Sequence, residues 1–239
     1  MTVAIVTGAG RGIGAAVARR LHGDGWTVVL ADLDGDAVGA LARDLGSNAV
    51  PLAMDVRDPE AWARAVAAAH NAGDLGALVN GAARTVVRDL FAIEPEEWDD
   101  VLATNLRGPF LGIRAIGPLL SAREGGRIVN VSSDSAFKGR GVVGAHYAAS
   151  KAAVISLTRR AAAKLAPSGV TVNAVVPGTI DGETVRELAG DQLDALAAEA
   201  ALGRLAAPQE IAGLVAWLVS GEASYVTGSV LVADGGASL

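Results

Sequence analysis

The chain has 239 residues, of which 51% are hydrophobic and 19% are charged, with no cysteine and a formal net charge of −6. This length is enough for a large buried core, and the acidic balance without a dense Lys/Arg cluster argues against a protein that neutralises nucleic-acid phosphates. The absence of cysteine excludes disulfides, thiolate metal sites and a cysteine nucleophile, and it fits a reducing compartment.

The N-terminal stretch MTVAIVTGAG has no charged n-region and leads into a glycine-rich turn, which predicts a first β-strand rather than a signal peptide. The longest apolar helical stretch, residues 211–220, is far shorter than the ~20 residues that a membrane span requires. We therefore expect a soluble, cytoplasmic protein with neither a nucleic-acid partner nor a membrane partner.

Short β-branched segments alternate with alanine-rich segments of helical length, which is typical of repeated βαβ units around a parallel sheet. Several of the strand segments are continuously apolar, as strands covered on both faces should be. In chain order the predicted strands are 3–7, 27–31, 49–53, 77–80, 127–131, 171–176 and 229–233. The predicted helices lie near 12–22, 35–45, 58–71, 95–122, 146–165, 184–201 and 208–219.

This order predicts an α/β fold, a Rossmann-like, doubly wound, seven-stranded parallel sheet flanked by helices on both faces, in a single domain over residues 1–239. No internal repeat, low-complexity tract or linker divides the chain. In residues 177–203, Pro, Gly and acidic residues interrupt a helical pattern, so we expect a mobile substrate lid there.

The sequence TGAGRGIG, residues 7–14, follows the first predicted strand and opens the first helix. Glycines in such a turn let the backbone approach a pyrophosphate, whose charge the helix N-terminus stabilises. The spacing is G-x-x-x-G-x-G rather than G-x-G-x-x-G, and a glycine-rich turn alone is also compatible with a simple loop. The residues that we expect to contact a dinucleotide here are Gly8, Arg11, Gly12, Ile13 and Gly14.

Asp32 closes the second predicted strand, 20 residues after Gly12, where a carboxylate can accept hydrogen bonds from the adenosine ribose. The alternative is a solvated aspartate that begins a turn. The same carboxylate would face the extra phosphate of NADP, and like charges about 4 Å apart cost about 1–4 kcal/mol. Arg11 could offset this cost by pairing with the phosphate. We predict NAD as the cofactor, with NADP less favoured.

In HYAASK, residues 146–151, a tyrosine precedes a lysine by one helical turn, although the chain has only two tyrosines and three lysines. A free tyrosine has a pKa of about 10 and is a poor base at neutral pH. A nearby ammonium would favour the phenolate and lower the pKa of Tyr147 toward the working range. The sequence thus predicts a chemical role for Tyr147 and Lys151, against the alternative of two exposed helical neighbours.

Across essentially the whole chain, the order and spacing of the motifs resemble those of the short-chain dehydrogenase/reductase (SDR) family. In that family the YxxxK pair is catalytic and the lysine also hydrogen-bonds the nicotinamide ribose, which implies these roles for Tyr147 and Lys151. The resemblance also implies a homodimer or homotetramer. The motifs that carry it are TGAGRGIG, NLRG, VNVSS, YAASK, VNAVVPG and YVTGSVLVADGG.

Two further catalytic positions follow from the resemblance. Ser133 matches the family serine that hydrogen-bonds the substrate oxygen, although its separation of 14 residues from Tyr147 is one more than usual. Ser132 and Ser135 therefore stay open, as does a serine cluster that only caps a strand end. Asn105 in NLRG resembles the asparagine that holds a proton-relay water, and its alternative is a polar residue where a long helix bends.

The resemblance also extends the cofactor site beyond the glycine-rich turn. Asp55 and Val56 look like the pair that contacts adenine, although Asp55 is equally suited to capping the next turn. The remaining expected cofactor contacts are Asn80, Tyr147, Lys151, Pro177, Gly178 and Ile180.

The chain departs from the family pattern at two places. The usual N-N-A-G after the fourth strand is Asn80-Gly81-Ala82-Ala83 here, so the side-chain support of the cofactor changes. The usual threonine after Pro177-Gly178 is Gly182, which leaves Thr179 or Thr184 as substitutes.

We therefore expect an NAD(H)-dependent oxidoreductase that interconverts a small secondary alcohol and a ketone by hydride transfer, with Tyr147 as general acid/base. The alternative is a catalytically silent NAD-binding sensor or structural protein on the same fold. No metal is expected, because the three histidines lie far apart in sequence and no H-E-x-x-H pattern exists. Basic residues in FKGRG, 137–141, and Arg84 are compatible with an acidic substrate or with a solvated loop.

Overall fold

Seven strands form one parallel sheet in the order β3-β2-β1-β4-β5-β6-β7. The computed structural model describes residues 2–123, 125–139, 141–189 and 192–239, without the side chains of Thr184, Leu188 and Ala189. The strand order reverses between β1 and β4, so the predicted doubly wound, Rossmann-like sheet is confirmed. The strands are β1 (Thr2–Thr7), β2 (Thr27–Asp32), β3 (Ala49–Ala53), β4 (Asp74–Asn80), β5 (Arg127–Val131), β6 (Thr171–Pro177) and β7 (Val230–Ala233).

Helices cover both faces of the sheet. Alternate residues of β1 enter opposite cores: Val6 packs with residues of α1, α2 and α9, and Ile5 packs with residues of α3, α5 and α6. Every helix in the described part of the chain is too short or too polar to cross a bilayer. The helices are α1 (Gly12–Gly23), α2 (Gly35–Leu45), α3 (Pro59–Ala72), α4 (Pro95–Leu102), α5 (Gly108–Ser121), α6 (Ala145–Leu165), α7 (Glu183–Ala189), α8 (Leu193–Glu199) and α9 (Pro208–Val219).

The single helix predicted over 95–122 is interrupted. A π-helical turn over Ala103–Arg107 separates α4 from α5, and the N–H of Gly108 donates to the carbonyl of Ala103. Pro109 follows and has no N–H to continue an α-helical ladder. The wider turn places the Asn105 side chain in the interior, where it is fully buried.

The helix predicted over 184–201 is also two elements, α7 and α8. Residues 190 and 191 between them lie outside the described residues. The mobility of a lid over 177–203 stays a prediction.

A buried chain of polar side chains fixes α6 against the sheet. The Asn80 amide donates to Asn130 Oδ1 at 2.8 Å, the Asn130 amide donates to Thr158 Oγ1 at 2.9 Å, and the Thr158 hydroxyl donates to the carbonyl of Val154 at 2.8 Å. All three side chains are at most 3% exposed. Because buried polar groups are costly when unpaired, this chain of bonds sets the position of α6 relative to β4 and β5.

Replacing Thr158 with valine tests this interaction, since valine keeps the shape but gives Asn130 no acceptor. We expect the free energy of unfolding to fall by about 1–3 kcal/mol, measured by urea denaturation. Thr158→Ser is the control, because it keeps the hydroxyl and should lose less stability. A valine variant at least as stable as the serine variant would contradict this account.

Candidate active site

Tyr147 and Lys151 face the carboxyl end of β5 from the first turns of α6. The Lys151 side chain is buried at 2% exposure, and its Nζ donates to the carbonyl of Val131 at 2.8 Å. This Nζ lies over the Tyr147 ring, 5.6 Å from the ring centroid. The two residues predicted from their spacing therefore lie together at the strand end, where ligands of this fold bind.

The ionisation of both groups is dominated by burial. Burial lowers the pKa of Lys151 from its ordinary 10.5 to about 8. Burial also raises the pKa of Tyr147, hydrogen bonds with Ser133 and Thr85 lower it in part, and the charge of Asp134 raises it again. The net direction is upward, so the expectation that Lys151 lowers the Tyr147 pKa was wrong for this arrangement. The desolvation of the phenolate outweighs its favourable neighbours.

The three serines that the sequence left open have different surroundings. Ser132 is buried and its hydroxyl donates to the carbonyl of Lys151 at 2.8 Å. Ser133 lies near enough to the Tyr147 hydroxyl to lower the pKa of Tyr147, and it accepts the N–H of Ser135 at 3.2 Å. Ser135 has its hydroxyl 3.2 Å from that of Ser133. The geometry thus favours Ser133 as the serine beside the Tyr147 hydroxyl.

The Asn105 side chain hydrogen-bonds both the segment after β4 and α6. Its Oδ1 accepts the N–H of Arg84 at 2.7 Å, and its amide donates to the Arg84 carbonyl and to Ser150 Oγ, both at 3.0 Å. The Ser150 hydroxyl in turn donates to the carbonyl of Tyr147 at 2.6 Å. Asn105 therefore ties the segment after β4 to α6, so a relay water would have to bind its main chain.

The glycine-rich turn leaves open space at the N-terminus of α1. A Cβ on Gly14 would lie 2.0 Å from the carbonyl oxygen of Gly8, and one on Gly8 would lie 2.8 Å from the backbone of Ala82. Close backbone packing thus requires both glycines. Gly12 has a φ of +56° and a Cβ there would meet nothing within 4 Å. This open position at a helix N-terminus fits a pyrophosphate.

The neighbours of Gly12 differ in their exposure. Arg11 precedes α1 as its N-cap, is exposed, and forms no ion pair with any described residue. Ile13 is partly buried against the core on the α1 side of the sheet. Arg11 is thus placed where it could meet a phosphate, while Ile13 anchors the turn.

Asp32 is held beside this turn. Its Oδ2 accepts the N–H of Gly10 at 2.9 Å, and its Oδ1 accepts the N–H of Asp34 at 3.0 Å. Each carboxylate oxygen has a second acceptor site, so these bonds orient the group and still allow it to bind ribose hydroxyls. The bond to the Asp34 N–H is also the one with which an aspartate begins a turn, so the alternative of a solvated, turn-initiating aspartate stays open.

The Asp55 carboxylate is already paired. It accepts the N–H of Arg57 at 2.8 Å and the Arg57 Nε at 2.9 Å, and this guanidinium holds the pKa of Asp55 below its usual range. Asp55 thus caps the turn over residues 55–58, as the alternative predicts, and Asp58 caps α3 by accepting the N–H of Glu60. Val56 is buried and its carbonyl accepts the Trp62 indole N–H at 3.0 Å.

The first family departure has a steric reason. Thr7 Oγ1 accepts the N–H groups of Gly81 at 3.1 Å and Ala82 at 3.2 Å, while a Cβ on Gly81 would lie 2.7 Å from the Thr7 carbonyl oxygen. No asparagine side chain fits there without movement of the backbone. The Asn80 side chain is turned to Asn130, so only its backbone remains for a cofactor.

The segment after β6 contains the second departure. Beside Pro177, a Cβ on Gly178 would lie 2.8 Å from Asp234 Cα, so the chain passes close to the C-terminal segment. Ile180 pairs with Ala206 in a parallel bridge, and the Thr179 carbonyl accepts the N–H of Ala206 at 3.1 Å. A Cβ on Gly182 would meet nothing within 4 Å. The side chain of Thr184 lies outside the described residues.

Comparison with known proteins assigns the family. Residues 8–238 match the family described as Enoyl-(Acyl carrier protein) reductase. The chain is 40% identical to the short-chain reductase protein NovJ of Streptomyces niveus, over 98% of this chain and 93% of that protein. It is 37% identical to the 3-oxoacyl-[acyl-carrier-protein] reductase FabG of Escherichia coli, over 98% and 96%. A short-chain dehydrogenase/reductase structure from Brucella melitensis, named glucose/ribitol dehydrogenase, superimposes with a TM-score of 0.92 at 34% identity, covering 99% of this chain and 96% of that one.

The chain is a short-chain dehydrogenase/reductase. It therefore belongs to a family of oxidoreductases that bind a nicotinamide cofactor. The described residues fit such a group, because the turn at Gly12 is open and Asp32 retains free acceptor sites. Lys151 also has unused donors, since the Val131 carbonyl is its only hydrogen-bond acceptor in the described part of the chain.

Two residues of this SDR site were not found from the sequence. Thr85 lies near enough to the Tyr147 hydroxyl to lower the pKa of Tyr147, yet it belongs to no motif and lies in the loop after β4. Asp134 lies next to Ser133 and is buried at 6% exposure. Asp134 could have been found from the sequence as the one carboxylate within the serine-rich segment VSSDSAF, residues 131–137.

The basic residues near the SDR site already have acidic partners. Arg84 Nε lies 3.7 Å from the Asp100 carboxylate, and Lys138 Nζ lies 2.6 Å from Asp134 and 3.5 Å from Glu199. These two cations are thus compensated, and they give no support to an acidic substrate. Arg140 lies outside the described residues.

The buried Lys151 should cost this SDR stability. Below pH 8 the lysine is charged in both folded and unfolded states, so the full desolvation cost acts against folding. We expect Lys151→Met to raise the free energy of unfolding at pH 7 by about 1–3 kcal/mol, measured by urea denaturation.

The pH dependence gives the sign of the effect. Between pH 8 and 10.5 folded Lys151 has lost the proton that the unfolded chain still binds, so the free energy of unfolding of the wild type rises with pH. The stability advantage of Lys151→Met should therefore shrink over this range. Lys164→Met, at an exposed position of the same helix, should change little. A Lys151→Met protein less stable than wild type at pH 7 would be inconsistent with a desolvated ammonium.

Proposed function

We propose that this SDR interconverts a small secondary alcohol and a ketone with NAD(H), using Tyr147 as the general acid/base. The observation that carries the proposal is the grouping of Tyr147, Ser133 and the buried Lys151 at the carboxyl end of β5. Its relatives NovJ and FabG are both named as reductases, and a carbonyl reductase of this kind fits the site. The alternative of a silent NAD-binding sensor is not favoured.

Each side chain has a distinct task in this proposal. The nicotinamide supplies or accepts the hydride. Tyr147 removes the hydroxyl proton during oxidation and returns it during reduction, while Ser133 hydrogen-bonds the substrate oxygen. Lys151 holds the nicotinamide ribose with the donors that Val131 leaves unused, and Asn105 keeps α6 and the segment after β4 in register.

The cofactor preference is proposed from Asp32. Both of its oxygens are oriented by backbone N–H groups, so the carboxylate cannot easily turn away from a ribose phosphate. Two free ribose hydroxyls satisfy it, whereas a phosphate repels it. Arg11 is the only described side chain that we expect to reduce this repulsion.

We also propose a homodimer or homotetramer. Phe110 on α5 is 46% exposed, and it borders an open cavity of about 900 Å³ with Leu102 and Leu106. Apolar side chains on a helix pair, surrounded by charged ones such as Asp99 and Arg107, suit contact with a second copy. Location in the cytoplasm stays a prediction.

Tyr147→Phe tests the reaction. Removal of the hydroxyl should lower kcat/KM by about 10²–10⁴-fold, because general acid/base catalysis contributes on this scale. The assay follows the absorbance of the reduced nicotinamide over a panel of alcohols and ketones. Binding of NADH, measured by fluorescence titration, should be retained.

The control is Tyr225→Phe, which changes the other tyrosine of the chain at a fully exposed position. It should turn over like wild type. Normal turnover by Tyr147→Phe would rule out the assigned acid/base, and NADH binding by wild type without turnover of any compound would favour the sensor.

Asp32→Ser tests the cofactor choice. Loss of the negative charge should raise the affinity for NADPH relative to NADH by about tenfold or more. The two dissociation constants are measured by fluorescence titration, with Asp36→Asn, an exposed aspartate in the first turn of α2, as the control. An unchanged affinity ratio would place Asp32 away from the ribose.

A further inference from the structure

A buried carboxylate lies beside the acid/base pair without a place in the mechanism above. Asp134 follows Ser133 directly, and its side chain is 9% exposed. One oxygen, Oδ1, lies 3.2 Å from the Ser133 hydroxyl, and the other, Oδ2, lies 2.6 Å from Lys138 Nζ. A charge that is nearly removed from solvent acts on its neighbours with little screening.

The contacts of Ser133 link this carboxylate to the reacting group. The Ser133 hydroxyl has one proton and two nearby acceptors at 3.2 Å, Asp134 Oδ1 and Ser135 Oγ. The bond to a carboxylate is the stronger because it is charge-assisted. Asp134 therefore competes for the single Ser133 proton with the substrate oxygen and with the Tyr147 phenolate, which that proton would stabilise.

Lys138 is the counter-charge of Asp134. Burial disfavours its ammonium, but hydrogen bonding and charge from Asp134 and Glu199 prevail and raise the pKa of Lys138. Glu199 is the last residue of α8 and is about half exposed, so its contact at 3.5 Å is weaker than the buried one. Lys138 therefore stays positively charged over the working pH range.

We infer that Asp134 is a positioning residue for the reaction proposed above: it orients Ser133 and, with Lys138 as counter-charge, sets the pH at which Tyr147 ionises. This inference rests on the proposed role of Tyr147. The groups that face the Tyr147 hydroxyl or ring are Lys151 on the same helix, Ser133 and Asp134 after β5, and Thr85 after β4, with Lys138 and Glu199 behind Asp134.

The two partners should act in opposite directions. The negative charge of Asp134 raises the pKa of Tyr147. Asp134→Asn removes that charge and leaves the Lys138 cation, so Tyr147 should ionise at lower pH. Lys138→Met leaves the carboxylate unpaired, so Tyr147 should ionise at higher pH. The double variant should lie between the two single variants, and Lys138→Arg should behave like wild type.

The chain allows Tyr147 to be titrated directly. It has two tyrosines, so labelling with ¹³C at tyrosine Cζ gives two NMR signals, which Tyr225→Phe assigns. Tyr225 is fully exposed and serves as the internal reference. The measured quantity is the separation between the two titration midpoints, which we expect to shrink in Asp134→Asn and to widen in Lys138→Met. The matched controls, Asp36→Asn and Lys164→Met, lie at exposed positions and should leave it unchanged.

A second measurement uses activity. The oxidation direction needs the phenolate, so the rising limb of kcat/KM against pH should move to lower pH in Asp134→Asn and to higher pH in Lys138→Met. Midpoints that move in the same direction, or not at all, would overturn the inference. If Asp134→Asn fails to fold, the comparison of Lys138→Met with Lys138→Arg decides alone. Failure of the proposed function would be seen separately, as no turnover by wild type or as normal turnover by Tyr147→Phe. In either case the NMR titration still measures the effect of Asp134 on the ionisation of Tyr147.

Discussion

The site depends on one buried ammonium. Lys151 extends from α6 to the end of β5, where the Val131 carbonyl is its one acceptor among the described residues, and burial lowers its pKa to about 8. Such a group is tolerated because the rest of the domain fixes it there: the Ser132 hydroxyl binds the Lys151 carbonyl, and the buried Asn80–Asn130–Thr158 chain of bonds fixes α6 to the sheet. The buried Lys151 lowers the stability of the fold, and in return its ammonium N–H groups are available to bind a ligand.

Burial also determines the protonation of Tyr147. A phenol among buried neighbours keeps its proton more firmly than a free one, and Ser133 and Thr85 only partly compensate. The ease of proton transfer is then decided by fixed charges nearby rather than by the Tyr–Lys spacing alone. Asp134 acts on Tyr147 in this way, and Lys138 is the counter-charge of Asp134.

Much of this arrangement could be predicted from the sequence, because strands covered on both faces are continuously apolar and glycines mark the first turn. The seven strands, the position of Asp32 and the proximity of Tyr147 to Lys151 all follow from such patterns. The π-helical turn at Asn105 could not be predicted, since it depends on the pairing of that amide with the Arg84 backbone. The burial of Asp134 likewise depends on tertiary packing, which local spacing does not encode, whereas the pairing of Asp55 with Arg57 is local and matches the turn-capping alternative.

The contact between Gly81 and Thr7 limits how this chain can change. An asparagine at position 81 cannot be introduced by one substitution, because its Cβ would need space that the carbonyl of Thr7 occupies. The ends of β1 and β4 would have to separate first, which would disturb the backbone amides that Thr7 now binds. A redesign that treats each position independently and places a larger residue at Gly81 would therefore disturb the ends of both strands.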